Sequence, residues 1–218
     1  MGPERIVAPA RKSESLLTAM ANFDKSFLAA LTRCAAACQV CAAHLPHGVR
    51  PVFQVHARAR LLIAGQAPGR KVHETGVPFD DPSGDRLRAW LGIDKATFYD
   101  PRRVAILPMG FCYPGAGKSG DLPPRPECAP LWREPFLTAL PDIGLTLAIG
   151  QYAQAAYLGA LCKPTLTETV RAWRDYGPRL TPLPHPSPRN NIWLAKNPWF
   201  EEEVLPALRV KVAAILTR

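Results

Sequence analysis

Three apolar runs restrict the folds open to this chain more than any other feature: residues 61–64 (Leu-Leu-Ile-Ala), 104–107 (Val-Ala-Ile-Leu) and 145–149 (Leu-Thr-Leu-Ala-Ile). They are short and continuous rather than alternating, the pattern of strands buried on both faces. A fourth run, 180–184, leads into His185. Helix-forming stretches lie between them, at 84–91, 95–99, 129–140, 151–158 and 165–173. Strand alternating with helix predicts an α/β fold, a three-layer α/β/α domain around a short, mainly parallel four-stranded sheet. Residues 16–43 lack Pro and Gly and predict one or two more helices. Over 198–216, Phe200, Val204, Leu208, Val212 and Ile215 recur at helical spacing, and Pro206 predicts a kink or restart there. Gly65, Gly110 and Gly150 follow the first three runs, and ligands of open parallel sheets bind at such strand ends.

The 218 residues suffice for one well-buried domain, expected over 13–218 behind a polar, disordered tail at 1–12. A net charge of +9 favours a polyanionic partner. No continuous apolar stretch reaches the roughly 18 residues that span a bilayer, so no membrane association is expected. No signal-peptide order follows Arg5, Arg11 and Lys12, and a cytoplasmic protein is the simple reading. Six cysteines in that compartment read as metal or cluster ligands, or as core thiols, rather than as disulfides.

Two loops carry the chemistry. Gly65-Gln66-Ala67-Pro68-Gly69 follows the first run, a tight turn that holds backbone amides at a fixed mouth. His185-Pro186-Ser187-Pro188-Arg189-Asn190 follows the fourth, with a histidine on a proline-stiffened loop. Together, in this order, they resemble the signature motifs of the uracil-DNA glycosylase superfamily, over roughly residues 38–205. The Gly-x-x-Pro-Gly opening is similar to the iron–sulfur branch. Thr75-Gly76-Val77-Pro78-Phe79 and the His-Pro-Ser-Pro-Arg-Asn loop look like the single-strand-selective monofunctional branch.

The resemblance implies a monofunctional enzyme that hydrolyses deoxyuridine in DNA to free uracil and an abasic site. His185 is the implied donor to the uracil O2. Gln66 and the Ala67 backbone stand where relatives position water. Phe79 is the implied stacking ring, and Arg189 the side chain pushed into the duplex. Ser187 and Lys71, with Arg70 and Lys118, are candidates for phosphates. Cys38-x2-Cys41, Cys112 and, 16 residues later, Cys128 resemble the ligand pattern of a [4Fe–4S] cluster. Four thiolates would also suit zinc, the lesser expectation, and buried free thiols are the plain alternative.

Departures matter as much. Gln66 replaces the acid common in the iron–sulfur branch, and Ala67 the Asp of the classical branch. His73 stands where the iron–sulfur branch often has Asp, which makes it a weak candidate base beside Glu74, Asp80 and Asp81. Pro108 takes the place of the Asn that reads uracil and offers only a carbonyl. Base selection then falls to the main chain at Met109 and Gly110, or to Asn190 or Asn191, with Gly65 closing the floor. No His lies in the loop holding Lys118, so covalent DNA trapping is not expected. A module that binds uracil or abasic DNA with little turnover is the alternative reading.

Overall fold

The computed structural model describes residues 26–118 and 120–217. The expected tail at 1–12 and the start of the helix expected from 16 lie outside them. The strands are β1 (Leu61–Ala64), β2 (Val104–Ile106), β3 (Ala116–Gly117), β4 (Gly120–Asp121), β5 (Leu145–Ile149) and β6 (Leu180–Leu183). The helices are α1 (26–36), α2 (Arg70–Thr75), α3 (Pro82–Leu91), α4 (Lys95–Phe98), α5 (Cys128–Thr138), α6 (Gly150–Leu158), α7 (Leu166–Arg171), α8 (Asn191–Lys196) and α9 (Leu205–Leu216).

Four strands form one parallel sheet in the order β2-β1-β5-β6. Alternation along β1 shows why its sequence is apolar throughout. Leu61 and Ile63 pack against Leu87 and Leu91 of α3 and Leu208 and Val212 of α9. Leu62 points the other way, toward Leu28 and Ala35 of α1 and Phe136 of α5. Helices therefore cover both faces, giving the three layers, and each fully buried Leu or Ile contributes about 1.5–3 kcal/mol. This is the α/β/α arrangement that the runs predict.

The sheet edges are managed differently. Pro182 lies in β6, an edge strand, where a missing N–H breaks no inner ladder. At the β2 edge, Gln54 exchanges backbone hydrogen bonds with Ile106 at 2.9 and 2.7 Å. Its side chain also donates to the carbonyls of Val104 (2.8 Å) and Phe98 (3.1 Å). That edge is closed.

Two expectations need adjustment. Of the one or two helices expected over 16–43, α1 ends at residue 36, and Cys38 and Cys41 sit in the turn that follows, before a single helical turn at Ala42–His44. Ala35 and Leu45 are both buried, and anchoring the chain at these two points overrides local helix propensity. In the C-terminal stretch, a wide turn at Phe200–Val204 precedes α9, with Pro206 in the first turn of α9. That is the restart its missing N–H requires.

Candidate active site

The C-terminal ends of β1, β2 and β6 open into one cavity of about 550 Å³, the position and size of a small-molecule site in a parallel α/β sheet. The loop after β1 forms its floor. Gly65 accepts from the Met109 N–H at 2.8 Å and Gln66 from the Gly110 N–H at 2.9 Å through their carbonyls. The Gln66 side chain donates to the Leu122 carbonyl at 2.9 Å, tying the floor to the segment after β4. A Cβ on residue 65 would lie 3.7 Å from the tip of the Phe79 ring, which places that ring directly over the floor. Phe79 adopts φ +55°, a left-handed conformation unusual for a bulky residue, and its ring meets Phe98 edge-on at 6.1 Å.

His185 enters from the loop after β6. The Ser187 backbone N–H donates to His185 Nδ1 at 3.2 Å. In a neutral imidazole that acceptor bond leaves the proton on Nε2. Burial lowers the ring's proton affinity below the ordinary histidine value of 6.5, and Arg189 acts the same way; Asp81 and Asp121 oppose it. His185 is thus kept neutral, with one N–H to give.

The loop itself is held from two sides. Asn190 Nδ2 donates to the His185 carbonyl at 2.7 Å, and the Ser187 hydroxyl accepts from the Arg189 N–H at 3.2 Å. From α3, Arg86 donates to the Ser187 carbonyl at 3.1 Å and to Asn191 Oδ1 at 2.8 Å. Nothing in the sequence motif marks Arg86, because its role exists only once α3 packs beside the loop.

Gly65, Gln66, Ala67, Lys71, Phe79, His185, Ser187, Arg189 and Asn190 all line the cavity. Two expected residues do not. Met109 is buried among Ala64, Ala148 and Ala153, and its amide, like that of Gly110, is committed to the floor loop. Neither amide is therefore free to read a base. His73 faces away from the cavity, on the side of α2 toward His47 and Tyr113, with Nε2 at 3.1 Å from the His47 carbonyl. A helical turn separates it from Gly69, which carries its ring off the cavity wall. Asp81 and Asp121 line the wall instead. Asp81 was a sequence candidate, whereas Asp121 stands in a hairpin whose two-residue strands are too short to show periodicity.

A second, much smaller cavity gathers all four expected thiols, Cys38, Cys41, Cys112 and Cys128, beside Trp132 and Arg125. Burial pushes the Cys128 thiol up to about 12 and raises those of Cys112 and Cys41. The nearby thiols add to each shift. The Phe111 N–H points at Cys128 Sγ (3.3 Å), and Cys41 Sγ lies 3.7 Å from Glu127 Oε2. Among the described residues, no group of three or more His, Cys, Asp or Glu side chains is disposed to hold a metal ion. Cys162 and Cys34 lie apart from this cavity.

Fold and cavity define an α/β protein that holds a small ligand at the carboxyl edge of its sheet, between a glycine-rich loop and a histidine loop. The family model of the uracil DNA glycosylase superfamily matches residues 53–209, well over half of the chain. The chain belongs to that superfamily, whose members are DNA glycosylases. Among the described residues no helix is long and apolar enough to cross a membrane.

Proposed function

We propose that this chain is a monofunctional uracil-DNA glycosylase, hydrolysing the N-glycosidic bond of deoxyuridine in DNA to give uracil and an abasic site. The observation that carries the reading is the fixed tautomer of His185, whose Nδ1 accepts from Ser187 in the cavity lined by Gly65 and Phe79. As the C1′–N1 bond breaks, positive charge grows on the sugar and negative charge on the base. A neutral Nε2–H aimed at the uracil O2 then binds the transition state more strongly than the ground state.

Extruding a base from the stack costs a few kcal/mol. Phe79 offsets part of this by stacking, and Arg189, exposed at the cavity rim, fills the vacated space. Ser187 and Lys71 take phosphates. Gln66 and the Ala67 backbone border the water beneath the sugar, and Asn190 holds the His185 loop against the base.

Cys38, Cys41, Cys112 and Cys128 are assigned as ligands of a [4Fe–4S] cluster. Four soft donors around one cavity match its four corners. A lone zinc ion on the same four thiolates is the lesser alternative. Once bound, the cluster supplies a covalent tie between the turn after α1 and the segment that carries the cavity rim.

The test is an assay on single- and double-stranded oligonucleotides bearing one uracil, followed by hot alkali. Strand breaks that appear only after alkali support the reading. Tight binding without breaks makes the chain a binding module instead.

A further inference from the structure

Resting on the glycosylase reading, we infer that Asp121 is the carboxylate that holds and deprotonates the attacking water. The glycine-rich floor, with Gln66 and Ala67, carries no acid of its own. Two carboxylates line the cavity, those of Asp81 and Asp121. Asp81 is tied to α3, since its Oδ1 caps that helix by accepting the Gly84 N–H at 2.9 Å. Asp80, next to it, stands 3.9 Å from Lys95. The Asp121 carboxylate makes no hydrogen bond or ion pair among the described residues.

The placement of Asp121 is built rather than incidental. The β3–β4 pairing sets it opposite Ala116 at the cavity rim. The next residue, Leu122, accepts the Gln66 amide, which pins this strand onto the floor loop. A Cβ on residue 69 would lie in ordinary contact with Asp121 Oδ2, at 3.5 Å, so the carboxylate stands directly against the floor loop. Arg189 packs its guanidinium over Gly120, beside the carboxylate. His185 senses the charges of Asp81 and Asp121, Asp81 the more strongly, which places all three groups within electrostatic reach across one cavity.

In the step, the water oxygen bonds to C1′ as the C1′–N1 bond breaks, and that bonding pair leaves on the base. The water's proton passes to Asp121 and then to solvent, while the uracil anion, held by His185, takes a proton from solvent. Deoxyuridine and water become uracil and an abasic sugar. Until the water closes, the carboxylate also faces the cationic sugar and favours it electrostatically.

Asp121→Asn, with Asp121→Ser beside it, is compared with wild type in single-turnover uracil excision across acid and neutral pH. Both variants are expected to slow the chemical step about a hundredfold or more. Binding of abasic DNA is expected to hold or tighten, because a negative charge leaves a rim that carries Arg70, Lys71 and Arg189. The loss of rate that wild type shows as the carboxylate protonates is expected to be absent. An active wild type with variants of equal rate, or with slower variants of unchanged pH profile, overturns the assignment alone. A wild type that releases no base overturns the glycosylase reading, and the role of Asp121 with it.

Discussion

The carbonyl oxygen of Phe79 stands 1.8 Å from the point where a Cβ on Gly84 would lie. The first turn of α3 is thus pressed against the backbone that holds Phe79 at φ +55°, and glycine is what permits the approach. A ring over the cavity floor is fixed by a residue without a side chain.

Gly84→Ala is therefore expected to destabilise the fold by more than about 2 kcal/mol, since backbone rather than a flexible tip must move. Urea denaturation measures this. Uracil excision should fall with it, because the displaced backbone carries the stacking ring. An unchanged midpoint would show that the Phe79 segment gives way freely.

His185 gives a pH dependence of known sign. Burial holds its folded-state proton affinity below the unfolded value of about 6.5, so the unfolded chain binds more protons in the window just below that pH. The stability it contributes is complete above about pH 6.5 and is lost as pH falls through its lower folded value. Melting temperature should drop on acidification across this window, and His185→Gln should remove that part of the slope. A slope unaltered in the variant would assign it to other groups.

Arg86 does not itself line the cavity, yet it holds the Ser187 carbonyl and Asn191. Arg86→Ala is expected to lower kcat/KM about tenfold, the equivalent of 1.4 kcal/mol, with melting temperature little changed. Combined with His185→Ala, the two losses should fail to add, because both act on one loop. Full additivity would separate Arg86 from the histidine.

The sheet was legible because strands buried on both faces leave continuous apolar runs, as Leu61–Ala64 does. The floor and histidine loops were legible because glycine and proline fix their shapes locally. What escaped depends on tertiary contact. Arg86 gains meaning only where α3 meets the His185 loop, and Asp121 only where the β3–β4 hairpin brings it against Gly69. Met109 misled for the converse reason: its amide lies at the right strand end but is consumed by the Gly65 carbonyl. His73 misled because α2, which is not among the helix-forming stretches of the sequence, turns it toward Tyr113.

The thiol cavity gives a chemical prediction. Protein purified without oxygen should carry iron and acid-labile sulfide and show the broad visible absorption of thiolate-bound iron. Cys112→Ser should lose all three signals and unfold at lower denaturant, since an unligated corner frees the turn after α1. Colourless wild-type protein containing zinc would reject the cluster.

The most direct measurement is base release from a uracil-bearing oligonucleotide by wild type and His185→Ala under single turnover. A neutral imidazole that steadies the departing anion predicts release of free uracil by wild type, with strand breaks only after alkali. It predicts a rate about a hundred- to a thousandfold lower in the variant at unchanged urea midpoint. Equal rates for the two proteins, or no uracil released by either, would contradict it.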